Sequence, residues 1–140
     1  MRGASQSERV FKSVTCGVAM KIIKCEDLSN IENPSPSEPY RPEIKLDGDG
    51  FKNLGGMFGL LVPSSQVPYH YHKDRESILI PISGEAVEIV EGKETVVKPG
   101  DVLLIPAGEK HTTVNRSDRE FRFVEFFTCP PLASDFVKVD

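Results

Sequence analysis

Gly100-Asp101-Val102-Leu103-Leu104-Ile105-Pro106-Ala107-Gly108-Glu109-Lys110-His111-Thr112-Thr113-Val114-Asn115 reads as short extended runs hinged on tight turns. Gly100 and Gly108 suit turns at which a side chain would constrain the backbone, and Pro106 fixes the approach to the hairpin that delivers His111. Asn115 is placed to close that turn with a side-chain hydrogen bond. Upstream, apolar runs at 43–46, 57–62, 77–82, 86–90 and 95–97 alternate with the turn signals Asp47-Gly48-Asp49-Gly50, Pro63-Ser64-Ser65, Ser83-Gly84 and Glu91-Gly92-Lys93. Downstream, 121–127 forms a last apolar run. Turns at intervals of roughly 8–12 residues predict an all-β sandwich or barrel with little helix. Pro34, Pro36, Pro39 and Pro42 make 33–42 a loop, and a short helix is expected near 26–30.

The 140 residues, 39% hydrophobic and 27% charged, fit one globular domain rather than two. We expect a loosely ordered N-terminal extension over 1–19 and a single domain over 20–140. The 17 Lys and Arg are scattered among 21 Asp and Glu, for a net charge of -4. Even the densest basic stretch, Arg116 to Arg122, is broken by Asp118 and Glu120, so the footprint of a nucleic-acid binder is missing. No apolar run approaches the roughly 18 residues of a membrane span, and residues 14–20 include Thr15, Cys16 and Gly17. Neither a membrane span nor a signal peptide is therefore expected. Cys16, Cys25 and Cys129 are odd in number and lack paired spacing, which suits reduced thiols in a cytoplasm.

The chemistry concentrates on the histidines. His70 and His72 lie two apart on an extended run and so share one face. Glu76 follows His72 after three intervening residues, and a tight turn or bend would bring its carboxylate to that face. His111 arrives on the hairpin already described.

These residues carry a resemblance. The stretch from Gly100 to Asn115 is similar to the second motif of the cupin superfamily, and His70, His72, Glu76 and Gly84 resemble its first motif, so that the motif region spans 68–115. Two departures stand out: Ser64 replaces the glycine that usually opens the first motif, and seven residues rather than six separate Glu76 from Gly84. Counting six would put Ser77 in the carboxylate position. Glu76 is preferred because its phase turns Ile78, Ile80 and Ile82 inward, with the extra residue absorbed as a bulge near Pro81. A three-histidine site, with water or substrate in place of the carboxylate, is the alternative.

The resemblance implies a jelly-roll β-barrel of the double-stranded β-helix type. It also implies one divalent transition metal per chain (Fe, Mn, Ni, Zn, Co or Cu) held by His70, His72, Glu76 and His111, with Glu76 also the candidate proton acceptor. Phe58, Leu60, Phe121, Phe123 and Phe127 are candidate lining residues, and Lys110, Arg122 and Glu125 candidate polar ones. The implied activity is that of a metal-dependent enzyme on a small organic substrate, a dioxygenase first. The alternatives are a sugar or sugar-phosphate isomerase and a non-enzymatic small-ligand or sensor module. The implied partner is a second copy in a homodimer, with 20–46 or 136–139 as exchange strands.

Overall fold

A computed structural model describes residues 20–44 and 51–140. The expected extension over 1–19, the turn at 47–50 and Cys16 lie outside the described residues. The elements run α1 (Cys25–Ser29), β1 (Glu43–Ile44), β2 (Leu54–Leu61), β3 (His70–His72), β4 (Ser77–Ser83), β5 (Ala86–Val90), β6 (Lys93–Val97), β7 (Leu103–Ile105), β8 (His111–Val114), β9 (Phe121–Thr128) and β10 (Phe136–Lys138). Two five-stranded sheets, β1-β2-β9-β4-β7 and β10-β3-β8-β5-β6, are paired antiparallel throughout. The expected all-β jelly roll is what the chain forms.

Strand β2 shows how local sequence sets the packing. Its residues 55–61 are all buried, because the strand is covered on both sides. Met57 and Leu61 join Leu79, Phe121, Phe123 and Phe127 inside. Phe58, Leu60 and Val62 pack outside against Leu28 and Ile31 of the N-terminal segment, with Tyr40 and Ile82 alongside. Two glycines make room for the inner rings: Gly55 pairs with Phe127 and Gly59 with Phe123 across the β2–β9 ladder. A Cβ on Gly59 would lie 2.1 Å from Phe123 Cζ, so the ring lies directly over the glycine. Phe58 and Leu60 are thus core of the outer cluster and not barrel lining, whereas Phe121, Phe123 and Phe127 face inward.

Strand β4 corrects the preferred phase. Ser77 and Leu79 are buried while Ile78 is 44% exposed, so the inward set is Ser77, Leu79 and Pro81. The expected bulge is present, as a register shift between Pro81 and Ser83 against β9. The isoleucines misled because the outer face of this sheet is itself apolar, Ile82 being packed under the N-terminal segment. When both faces are hydrophobic, alternation cannot tell inside from outside.

The turns have the chemistry expected of them. Ser64, which stands where a glycine is usual, takes the left-handed backbone conformation itself, with φ 62°. Asn115 is fully buried. Its amide donates to Leu61 O and Arg119 O, and its Oδ1 accepts from Ser117 N and Ser117 Oγ. Asn115→Ala would leave these groups without their partner, so urea denaturation should show a loss of about 2 kcal/mol; a loss below about 0.5 kcal/mol would make the bonds incidental.

Candidate functional site

Antiparallel pairing brings β3 against β8, with His70 directly opposite His111. His70 and His72, alternate residues of β3, share its inward face, and all three imidazoles are buried. The ring centroid of His70 lies 5.1 Å from that of His72 and 4.5 Å from that of His111. They open on an interior cavity of about 540 Å³, whose walls include Arg41, Met57, Arg75, Leu79, Phe123, Glu125 and Phe136. That is enough space for a small organic molecule.

Each imidazole is held by the same ring atom. His70 Nδ1 is 2.7 Å from Pro68 O, and a carbonyl only accepts, so Nδ1 carries the proton. His72 Nδ1 is 3.0 Å from Asp135 Oδ1, and His111 Nδ1 bonds Glu88 Oε1. Glu88 is itself fixed by Thr113 Oγ1, which donates to Oε2 at 2.7 Å. Asp135 accepts backbone N–H groups of Asp74 and Arg75 as well. Against burial, which acts to raise it, these hydrogen bonds hold the Asp135 carboxyl below its ordinary range. In all three histidines the tautomer leaves Nε2 with its lone pair. Burial lowers the pKa of His70 to about 4, the bond to Pro68 opposing and the other histidines and Arg41 assisting, and burial lowers that of His72 too. Both are neutral at pH 7.

The donor chemistry is therefore that of metal-ligating histidines, with Nδ1 oriented by a carbonyl or carboxylate and Nε2 available. Among the described residues, however, no three His, Cys, Asp or Glu side chains form a cluster that would hold a metal ion. Glu76 does not join the histidines. It is exposed, its backbone pairs with Thr128, and it borders an outer groove with Leu54, Ile78, Leu104 and Phe126. The cause is the phase of β4, which turns Ser77 inward and Glu76 out.

The carboxyl that does face the cavity is Glu125, on β9 opposite Leu79. Burial raises its pKa; His111 and Arg75 oppose, as does the nearby hydroxyl of Ser77, which itself falls outside hydrogen-bonding geometry. Of the other polar candidates, Arg122 turns outward, donating to Leu28 O, Ile31 O and Glu120, and Lys110 is exposed. Sequence reasoning missed Glu88, Asp135, Arg41, Arg75 and Phe136. Glu88 left one signal, a carboxylate on the same strand face as buried Ala86. Asp135 and Phe136 left none, because β10 reaches β3 from far along the chain. Phe136 stacks on His70 at 4.3 Å between centroids, inclined by 16°.

The chain is thus a two-sheet β-barrel with histidines and charged groups around an interior cavity. A family model described as a cupin domain matches residues 57–127, half of the chain, and this chain belongs to that family. An oxalate-binding protein of Thermotoga maritima is 33% identical over 81 residues, covering 56% of this chain and 67% of the relative. A Klebsiella pneumoniae protein with a double-stranded β-helix domain superposes with a TM-score of 0.68 at 22% identity, over 87% of this chain and 99% of the other. A cupin sugar phosphate isomerase of Silicibacter pomeroyi superposes with 0.58 at 24% identity, over 71% and 75%. Among the described residues no helix is long and apolar enough to cross a membrane, and Cys25 and Cys129 are free.

Proposed function

We propose that this chain is a divalent-metal-dependent enzyme acting on a small organic substrate, with dioxygenase-type oxidation as the leading reaction. The observation that supports it is the shared anchoring of three buried imidazoles, each fixed through Nδ1 with Nε2 left to ligate. His70, His72 and His111 would hold the metal, and the remaining positions would be open to solvent or substrate. A bound divalent cation supplies Lewis acidity toward a substrate oxygen and, for a redox-active metal, a route to dioxygen. The protein's own part is to keep the rings oriented, to limit water in a cavity walled by Met57, Leu79 and Phe123, and to place Glu125 within the same space.

Elemental analysis of protein purified without added metal or chelator should find about one equivalent of Fe, Mn, Co, Ni, Cu or Zn per chain. Oxygen uptake on a screen of small phenols, diketones and thiols should need both metal and substrate. Failure to take up any metal on reconstitution would overturn the reading. A second reading, isomerisation of a sugar or sugar phosphate, is favoured by Glu125, a buried interior carboxyl available as the base that such a reaction needs. Turnover without oxygen, lost in Glu125→Gln, would select it. Ligand binding with no turnover under either condition would select a non-enzymatic binding module.

A homodimer in a cytoplasmic setting is part of the proposal. Exposed Ile78, Val102 and Leu104, the last 73% exposed, leave apolar surface on and beside β4 and β7. Phe136–Lys138 pairs with β3 of its own chain. Light scattering at micromolar concentration should give twice the chain mass; a monomer mass would refute the dimer.

A further inference from the structure

Arg75 is 1% exposed and lines the cavity, yet its guanidinium is only half satisfied. Nη2 donates to Pro131 O at 2.6 Å, and the cation rests 4.1 Å over the Phe127 ring. Nε stands 3.6 Å from Asp135 Oδ1, beyond hydrogen-bonding distance, and both Nε and Nη1 are buried without a hydrogen-bond partner. Dangling N–H groups on a buried cation are costly, and native interiors rarely keep them without a use. Arg41 lines the same cavity, half-buried, with no hydrogen bond or ion pair given to its side chain by the described residues. Both guanidiniums belong to the wall of that one cavity, which Glu125 also lines. Asp135 and Glu125 both act electrostatically on Arg75, yet neither bonds its Nε or Nη1, so the unmet N–H groups on the cavity wall are what call for an acceptor.

We propose that Arg41 and Arg75 form an oxyanion clamp for the carboxylate of a small organic acid, whose remaining oxygens face the three free Nε2 atoms. The clamp rests on reading this cavity as the ligand site, and it narrows the substrate from any small organic molecule to a carboxylate-bearing one. A guanidinium fork matches the two oxygens of a carboxylate, and in a site shielded from water such charge-assisted bonds are strong. Phosphate offers related chemistry and is one arm of the test.

The test is titration calorimetry on the full chain, as purified and after dialysis against chelator, with oxalate, pyruvate, uncharged pyruvamide and inorganic phosphate as probes. The two acids should bind, and pyruvamide should bind at least about tenfold more weakly than pyruvate. Arg41→Met, which breaks no hydrogen bond or ion pair among the described residues, should weaken both acids by a similar factor while leaving the melting temperature and the metal content unchanged. Arg75→Lys keeps the charge but loses the fork, and should weaken them also. Should Arg75→Lys fail to fold, Arg41→Met decides alone. Acid binding undiminished in Arg41→Met, pyruvamide bound as well as pyruvate, phosphate bound more tightly than either acid, or no probe bound at all would each overturn the clamp. Metal content, measured separately by elemental analysis, distinguishes these outcomes from failure of the metal-dependent reading.

Discussion

His111→Ala is expected to lower divalent-metal affinity by at least about a hundredfold and to destabilise the protein by about 2–4 kcal/mol. The two effects have separate origins. On the proposed metal site, affinity should fall because one of three Nε2 donors would be gone. Stability falls because Glu88, 7% exposed on β5, loses the imidazole N–H and keeps only the Thr113 hydroxyl. A buried carboxylate deprived of one partner is worse than an apolar residue in its place. The double variant His111→Ala/Glu88→Leu should therefore recover much of the stability and none of the metal affinity. Metal titration followed by elemental analysis measures the first effect, and urea denaturation the second. Unchanged metal affinity in His111→Ala would remove this histidine from any metal site, and no recovery of stability in the double variant would place the cost elsewhere than on Glu88.

Gly59→Ala should cost about 2–4 kcal/mol although it adds one methyl group to a strand. The new Cβ would fall 2.1 Å from Phe123 Cζ and under 3 Å from both of its Cε atoms. The ring cannot retreat easily, being 1% exposed and packed within the inner core. Overpacking of this kind displaces backbone or forces poor rotamers. Phe123→Leu in the same chain should relieve part of the clash, so the double variant should be more stable than the sum of the two single losses. Urea denaturation with an unchanged slope would report a pure stability effect. A loss below about 1 kcal/mol would show that β2 and β9 separate freely at this point.

Legibility in the sequence followed the range of each interaction. Turn residues wrote the barrel plainly: Gly84, Gly100 and Gly108 all take positive φ, and the apolar runs between turns became strands. His70 and His72 were legible as a pair because two residues on one strand must share a face. The phase of β4 was not legible, since hydrophobic residues occupy both of its sides and only the ladder with β9 decides which side is in. That single ambiguity put Glu76 with the histidines in the sequence reading, whereas the fold turns it outward. Arg75 was hidden for a related reason: a charged residue beside a turn reads as solvent-facing, and nothing local announces that Asp135, Pro131 and Phe127 enclose it.

The end-to-end pairing of β2 with β9 also sets a timetable. From Leu54 against Thr128 to Leu61 against Phe121, every rung of that ladder joins strands on opposite sides of the 68–115 motif region. Pairing so distant in sequence must first overcome a large loop-closure entropy, which makes such topologies slow to fold. During synthesis the glycine-rich β2 emerges early and waits for its neighbour, with its inner side, Met57 and Leu61, uncovered. A newborn chain is then most vulnerable to self-association in the interval before β9 arrives. Low temperature, which weakens hydrophobic association during that interval, is the condition under which this barrel should be recovered in best yield.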